Sequence, residues 1–256
     1  MLTTEQKKYF DVFGFLVLRQ VFPQSEMDAI RQVFDEVLSE KRQGRPFTGD
    51  QTQTVLWFVE QRAELARLAE DDRIYPAIED LLGPGFIWVL SDGNYYVGDT
   101  QWHGGTGEEQ VLKHIKVAIY PDPVAAENGC LRVIPGSHHT QFQQHLKPLL
   151  KQFKDPQLRP FGIEGSQVPS VALESQPGDV VFFSENMWHG SFNGEAGRRM
   201  FTLIYYANPA TDAQKAYVRQ QQKKCVAMFN PHESFIHSDR PRIRQMVAPL
   251  VELAKR

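Results

Sequence analysis

Hydrophobic positions in the first part of the chain recur at helical spacing. After Pro23 the apolar residues follow a 3.6-residue period, at Met27, Ile30, Val33, Phe34 and Val37. Thr3 and Gln6 have the spacing of a capping box at a helix start, and a second helical region is predicted over 61–82. We therefore expect residues up to about 85 to be mostly helical, with one short buried strand within 13–18.

From residue 86 the pattern changes to short apolar runs without helical periodicity. These predicted strands cover 86–90, 111–120, 129–134, 180–183 and 200–206. Clusters of turn-forming residues separate them, and Ser91-Asp92-Gly93-Asn94 is one such predicted turn. Many short strands without intervening helices are typical of an antiparallel sandwich or barrel.

This pattern predicts one domain over 1–256. It has a helical part at about 1–85, a β-barrel core at about 86–206 and a helical C-terminal tail. A polar insert at 140–170 interrupts the barrel. An insert of this length is expected to be a lid or a substrate-facing segment.

Composition limits the class of protein, its cellular location and its binding partners. The chain is 41% hydrophobic and 23% charged, which excludes a disordered or fibrous protein. The net charge of −3 argues weakly against a nucleic-acid partner. Cys130 and Cys225 form no CxxC pair, so a cysteine-based zinc or iron–sulfur site is not expected. With no signal-peptide pattern and no long apolar run, the expectation is a cytoplasmic monomer or weak homo-oligomer that has no membrane partner.

Two of the eight histidines have informative neighbours. His103 ends the run Thr100-Gln-Trp-His, and His189 follows the predicted strand at 180–183. Arg198 and Arg199 then open the next strand. Imidazoles can hold a divalent iron with open coordination positions, and an arginine fork binds a carboxylate bidentately. This combination suits a metal that works with a carboxylate-bearing co-substrate.

At these residues the chain resembles the phytanoyl-CoA dioxygenase group of iron(II)/2-oxoglutarate-dependent oxygenases. The matching stretches run in family order and include Asp92-Gly-Asn-Tyr-Tyr, Gln101-Trp-His, Glu127-Asn-Gly-Cys-Leu-Arg-Val-Ile-Pro-Gly-Ser-His, Pro177-Gly-Asp-Val and Trp188-His-Gly-Ser. The resemblance implies a mainly β protein with flanking helices, whose core is a double-stranded β-helix of the jelly-roll or cupin-like kind.

The same resemblance implies the roles of individual residues. His103 and His189 would bind Fe(II). Arg198 would hold the distal carboxylate of 2-oxoglutarate, and Ser191 would hydrogen-bond the same co-substrate. Arg199 is the alternative to Arg198, because strand alternation lets only one of the pair face the barrel.

The chain departs from the family at the third metal ligand. The family motif is His-any-Asp, whereas this sequence reads His103-Gly104-Gly105. The halogenase branch of these oxygenases has Ala or Gly there, so Gly105 implies an open coordination position that chloride fills. The resemblance thus predicts chlorination of an unactivated aliphatic C–H of a small molecule, with 2-oxoglutarate and O2 converted to succinate and CO2.

Other outcomes stay open at this point. Glu108 or Glu109 could replace the missing carboxylate, or water could occupy the position, and either would give a hydroxylase of the same family. A non-catalytic module that binds metal and 2-oxoglutarate is the remaining alternative. His237-Ser238-Asp239 is a literal His-any-Asp, but it follows the barrel strands and is out of family order.

Aromatic residues are the candidates for lining a substrate pocket. Trp57, Tyr95 and Tyr96 are proposed for this role, with ordinary core packing as the other interpretation. The substrate itself is not identified by any motif.

Overall fold

The computed structural model describes residues 1–105 and 110–255. The helices in these ranges are α1 (Thr4–Phe13), α2 (Gln24–Lys41), α3 (Ala63–Ala66), α4 (Tyr75–Leu82), α5 (Thr140–Leu146), α6 (Leu150–Lys154), α7 (Asp212–Lys224), α8 (Glu233–Ile236) and α9 (Pro241–Ala254). The strands are β1 (Phe15–Leu18), β2 (Gln53–Leu56), β3 (Ile87–Tyr96), β4 (Thr100–His103), β5 (His114–Ile119), β6 (Leu131–Val133), β7 (Val171–Leu173), β8 (Val180–Ser184), β9 (His189–Ser191) and β10 (Arg198–Tyr206). Among the described helices, none combines the length and apolar character needed to cross a membrane.

The predicted helical character of the N-terminal part is confirmed. The side chains and backbones of Thr3 and Gln6 form the capping box at the start of α1. The predicted region 61–82 contains α3, a 3-10 turn at Arg67–Glu70, and α4. Gly83 follows the last turn of α4 with a φ of 86°, a conformation that glycine adopts without strain.

The strands form two antiparallel sheets. The larger has the order β1-β8-β5-β10-β3-β2, and the smaller has the order β4-β9-β6-β7. Side chains of β5 and β8 pack against side chains of β6 and β7 in one hydrophobic cluster, so the sheets face each other. Two facing antiparallel sheets with flanking helices confirm the predicted jelly-roll core.

Alternation along the strands separates two layers. In β8, Val180 and Phe182 belong to the core that the large sheet forms with α2 and α9. Val181 and Phe183 point the other way and pack between the two sheets. The inner face of the large sheet therefore meets the small sheet, and helices cover its outer face.

The turn predicted at Ser91-Asp92-Gly93-Asn94 is wrong. These residues lie inside β3, where Asp92 pairs with Thr202 of β10 and Leu56 of β2. Turn residues are accommodated here because the Asp92 carboxylate accepts hydrogen bonds from Thr202 and Asn94. Gly93 leaves room for the Phe58 ring, which a Cβ at position 93 would overlap. Packing thus overrides local turn propensity.

The 140–170 insert contains α5 and α6 and covers the outer side of the small sheet. Leu146 and Leu149 pack against Trp102 and Trp188 in one cluster. The Trp102 indole N–H donates to the Gly165 carbonyl at 2.7 Å. From α6, the Phe153 ring reaches to 5.6 Å from the His103 ring, so the insert supplies one side chain near the predicted metal ligands.

A buried carboxyl group lies where β3 meets the turn after β2. Glu60 is 4% exposed, and it accepts a hydrogen bond from Trp88 Nε1 at 2.9 Å and another from the Ser91 hydroxyl. Burial raises the pKa of this carboxyl from 4.5 to about 7, despite the hydrogen bonds that favour the ionised form.

We expect Glu60 to make the free energy of unfolding fall as pH rises from 4.5 to about 7. In this window the unfolded chain has released the Glu60 proton and the folded chain retains it, a difference of ~3 kcal/mol over the whole window. Urea unfolding of the wild type and of Glu60→Gln at several pH values measures the effect. Glu60→Gln should flatten the slope between pH 5 and 7, and equal slopes in both proteins would contradict the assignment.

Candidate metal centre

A β-bulge brings the two predicted metal-binding histidines together. Strands β4 and β9 pair at Thr100↔Ser191 and at His103↔His189, with a register shift between the two pairs. The extra residue in β4 lets Thr100 and His103 both line one cavity, although they are three positions apart. Trp102 points to the opposite side and packs under the insert. The bulge therefore aims His103 at His189.

The hydrogen bonds of both imidazoles involve Nδ1, and Nε2 of each has no hydrogen-bond partner among the described residues. His103 Nδ1 lies 2.9 Å from the Gln101 carbonyl, and His189 Nδ1 lies 2.8 Å from the Met187 carbonyl. A carbonyl only accepts, so each Nδ1 carries the proton and each Nε2 keeps a lone pair. The ring centroids are 4.0 Å apart. This tautomer, fixed by a backbone carbonyl, is the usual state of a metal-ligating histidine.

Burial keeps the two imidazoles neutral. Loss of solvent lowers the pKa of His103, and it lowers the pKa of His189 well below its usual value, with the neighbouring His103 adding to the effect. A neutral imidazole is the form that binds a metal, because the lone pair is not taken by a proton.

The histidines line a cavity of about 80 Å3 between the two sheets. At ~30 Å3 for each water in the liquid, this volume holds about three water-sized groups, enough for a metal and the chelating atoms of a small bidentate ligand. Its lining residues are Tyr96, Thr100, His103, Lys116, Tyr120, Leu131, Phe183, His189, Gly190, Ser191, Arg198 and Met200.

Arg198 presents a partly unsatisfied guanidinium to this cavity. Its Nη1 is buried and has no hydrogen-bond partner in the described part of the chain, and its Cζ lies 5.3 Å from the Tyr96 ring centre. Glycines make room for the group, because a Cβ at Gly129 or Gly194 would overlap Nη1. Gly129 also has a φ of 91°, so both sterics and backbone favour glycine there. A buried, unpaired guanidinium is suited to bind a carboxylate.

Arg199 lies on the other face of β10. It donates to both carboxylate oxygens of Asp35 at 2.7 and 2.9 Å and to Asp122 at 2.9 Å. Alternation along β10 thus places the two arginines on opposite faces of the strand. Arg199 does not line the cavity, and its guanidinium is engaged by Asp35 and Asp122. Ser191 lines the cavity, and its hydroxyl donates to the Gly129 carbonyl at 2.7 Å.

Amide side chains occupy the space beside Gly105. A Cβ at this position would overlap Asn186 Oδ1 and come within 2.5 Å of Gln143 Nε2. The Gly105 N–H donates to the Asn186 carbonyl at 2.9 Å, which fixes the backbone there. Asn186 Nδ2 is buried and has no hydrogen-bond partner among the described residues. A carboxylate side chain at 105 therefore has no room in this arrangement.

Of the three aromatic pocket candidates, only Tyr96 lines the cavity. Trp57 packs instead with Tyr217 and Met228 in a separate cluster. Tyr95 alternates to the other face of β3, where its hydroxyl bonds to Asp35. Trp57 and Tyr95 therefore do not line this cavity, since Trp57 belongs to another hydrophobic cluster and Tyr95 is buried in the helix-covered core on the opposite face of β3.

The His237-Ser238-Asp239 motif lies away from the cavity. His237 is exposed and pairs with Glu233 at 3.1 Å on the far helical segment, so His237-Ser238-Asp239 contributes nothing to the site. Glu108 and Glu109 lie outside the described residues.

Sequence reasoning missed a buried charged pair at the cavity. Lys116 of β5 lines it, and Lys116 Nζ lies 3.4 Å from Glu185 Oε1. The run His114-Ile-Lys-Val-Ala-Ile does alternate. That alternation was the available signal that Lys116 faces inward if Ile115 and Val117 face the helices.

The donor set fits a metal that leaves several coordination positions open. Two neutral imidazoles supply two ligands, and within 1–105 and 110–255 no group of three His, Cys, Asp or Glu side chains is placed to hold an ion. The Arg198 guanidinium, whose Nη1 has no hydrogen-bond partner among the described residues, fits a carboxylate-bearing co-substrate in the same cavity.

Comparisons with known proteins agree with this arrangement. Residues 92–200 match the family model of phytanoyl-CoA dioxygenase (PhyH). A probable phytanoyl-CoA dioxygenase of Caenorhabditis elegans is 22% identical, and the match covers 81% of this chain and 76% of that protein. An ectoine dioxygenase of Sphingopyxis alaskensis is 24% identical, with coverage of 74% and 70%.

A solved structure shares the fold. HygX from Streptomyces hygroscopicus, with nickel and 2-oxoglutarate bound, superposes with a TM-score of 0.65 at 21% identity, covering 81% of this chain and 88% of HygX. Residues 92–200 of this chain are thus similar to the phytanoyl-CoA dioxygenase family, and the chain shares the fold of HygX.

Proposed function

We propose that this enzyme chlorinates an unactivated aliphatic C–H bond of a small molecule. The balanced reaction converts the C–H substrate, chloride, 2-oxoglutarate, O2 and one proton into the chlorinated product, succinate, CO2 and water. The observation that carries the proposal is the absence of a carboxylate side chain at position 105, beside the two histidines.

The surroundings of Gly105 support an anion in place of the carboxylate. Asn186 Nδ2 is a buried N–H donor without a partner in the described residues, and it belongs to the residue that packs on Gly105. A buried donor without a partner is costly unless a ligand satisfies it. A halide accepts hydrogen bonds and restores the negative charge that the missing aspartate would have supplied.

Each residue of the cavity has a distinct part in the proposal. His103 and His189 hold Fe(II) through Nε2, and the bound iron supplies the activation of O2 and the one-electron chemistry. Arg198 holds the distal carboxylate of 2-oxoglutarate, and the absence of a Cβ at Gly129 and Gly194 leaves room for the guanidinium. Ser191 lines the same cavity.

A chloride titration tests the halide site without knowledge of the substrate. The protein is loaded anaerobically with Fe(II) and 2-oxoglutarate, and its visible charge-transfer band is recorded as chloride is added. A saturable shift of the band is expected. A band that does not respond to chloride, while it forms normally, would leave water or a carboxylate in that position and sink the chlorination proposal.

A carboxylate restored at position 105 should abolish the chloride response. Because Gly105→Asp meets Asn186 and Gln143, the triple variant Gly105→Asp/Gln143→Ala/Asn186→Ala removes both amide groups from this space. Gly105→Ala/Gln143→Ala/Asn186→Ala is the matched control, as it has the same two truncations without the carboxylate. We expect the control to keep a saturable chloride shift, at a lower affinity because the Asn186 donor is lost, and the aspartate variant to lose the shift. An unchanged chloride affinity in the aspartate variant would contradict our assignment of the halide position.

Hydroxylation is the second candidate. Two of the relatives are named as dioxygenases, which favours insertion of oxygen over halogen. In that case the titration shows no chloride response, and turnover proceeds in chloride-free buffer at the same rate.

A further inference from the structure

Lys116 lies at the cavity because of its position in the large sheet. It pairs with Phe183 of β8 and Ile204 of β10, so it is an interior residue of a central strand. Its chain neighbours Ile115 and Val117 are fully buried in the helix-covered core. Lys116 therefore points inward, and its side chain is 19% exposed. An inward lysine beside two imidazoles is unusual, because lysine is rarely buried without a function or a partner.

The partner of Lys116 satisfies only part of its hydrogen-bonding capacity. In the described part of the chain, Lys116 Nζ has one ion-pair or hydrogen-bond partner, which is Glu185. Its Oε1 lies 3.4 Å from Nζ. An ammonium group has three N–H donors. Donors therefore remain for a ligand in the cavity that Lys116 lines.

Glu185 is itself placed between two groups. Its second oxygen, Oε2, lies 3.7 Å from His114 Nε2, too far for a hydrogen bond, and has no hydrogen-bond partner among the described residues. Burial opposes both charges, yet each charge stabilises the other, so the pKa of Lys116 is raised and that of Glu185 is lowered. Lys116 thus carries a positive charge at neutral pH.

Lys116 and Arg198 enter this cavity from distant backbone positions along β10. Arg198 of β10 pairs with Tyr96 of β3, whereas Lys116 of β5 pairs with Ile204, which lies farther along β10. Arg198 and Ile204 are six residues apart in an extended strand, which separates their backbones by roughly 20 Å. The long side chains of Lys116 and Arg198 both reach this cavity. Arg198 and Lys116 are therefore placed to bind different anionic groups.

We propose that Lys116 is an anion-binding residue of the metal cavity, whose ammonium group holds the small anion that lies beside His103 and His189. The inference rests on the proposed function, since it requires the metal and co-substrate to bind there. Two anions have the required chemistry: chloride, and the 2-oxoglutarate carboxylate that lies next to the metal. Glu185 orients Lys116 and competes with the anion for its donors.

Cobalt(II) provides the readout, because its visible d–d bands respond to changes in coordination. Wild type, Lys116→Met, Lys116→Arg and Glu185→Gln are loaded with cobalt(II) without oxygen. One arm titrates 2-oxoglutarate into each protein, and the other titrates chloride at saturating 2-oxoglutarate. Metal content and melting temperature are measured for every variant, so that loss of fold is detected separately.

We expect Lys116→Met to weaken the binding of one anion at least tenfold, as loss of a charge-assisted hydrogen bond predicts. Lys116→Arg should recover most of that loss. Glu185→Gln should change affinity in the opposite direction, because it removes the competing carboxylate. A purely structural role for Lys116 does not predict opposite signs for the two members of one ion pair.

The arms identify the anion and the ways in which the proposal fails. Weakening in the chloride arm alone assigns Lys116 to the halide, and weakening in the 2-oxoglutarate arm assigns it to the metal-side carboxylate. If Lys116→Met binds both anions like the wild type, the inference is overturned while the proposed function stands. If the wild type binds neither cobalt nor 2-oxoglutarate, the proposed function and the inference fail together.

Discussion

Replacing His189 with alanine is expected to abolish tight metal binding. His189 is 8% exposed, and its Nδ1–H is held by the Met187 carbonyl, so its Nε2 is already aimed at the cavity. Loss of outer-sphere partners alone costs a metal site 10–100-fold in affinity, so loss of one of two protein ligands should cost about a hundredfold or more. Anaerobic calorimetry with Fe(II), or competition with a chromophoric chelator, measures the change.

His139→Ala is the matched control. His139 is exposed at the start of α5, and its side chain makes no capping hydrogen bond. The control should bind metal like the wild type. A His189→Ala protein that melts normally and keeps its affinity for Fe(II) would show that the metal binds elsewhere.

Arg198 and Arg199 are expected to respond in opposite ways to the same substitution. Arg198→Met should lower the affinity for 2-oxoglutarate by about a hundredfold, because a bidentate, charge-assisted pair in a buried site is worth ~3 kcal/mol. Its effect on stability should be small, since Nη1 has no partner in the described residues. Binding to the metal-loaded protein by calorimetry measures the affinity.

Arg199→Met should leave the affinity for 2-oxoglutarate unchanged and lower the free energy of unfolding by about 1 kcal/mol. The variant loses the ion pairs to Asp35 and Asp122, which are partly exposed and so contribute modestly. Urea unfolding gives the stability difference. If Arg199→Met weakened co-substrate binding and Arg198→Met did not, the roles of the two arginines would be reversed.

The sequence predicted much of the scaffold because its local signals agree with the tertiary structure. The capping box at Thr3, the periodic face of α2 and the stop at Gly83 all lie where their physical causes put them. The turn predicted over 91–94 failed because its signal was local while the controlling contacts are not. Phe58 and Thr202, distant in the chain, decide that this segment is a strand.

The candidate site was only partly accessible from the sequence for a related reason. Motifs indicated His103, His189 and the arginine pair. The choice between Arg198 and Arg199 required the pairing partners of β10, which alternation alone does not reveal. Lys116 and Glu185 carry no motif at all, and their contact depends on β5 and the end of β8 lying side by side.

The bulge in β4 has a consequence for how this strand can change during evolution. Three residues of β4 span the distance that two residues of β9 cover, so the strand's length sets which layer each side chain enters. Substitutions at Gln101 change one side chain at a time. Deletion of Gln101 would remove the bulge and leave two-residue alternation, which keeps His103 on the cavity face and Trp102 in the outer layer. A single-residue insertion that keeps the bulge would instead move Trp102 and His103 to opposite layers at once, exchanging a core indole with a metal-facing imidazole. Related chains should therefore tolerate variety in the composition of this segment, and loss of the bulge residue, but no insertion.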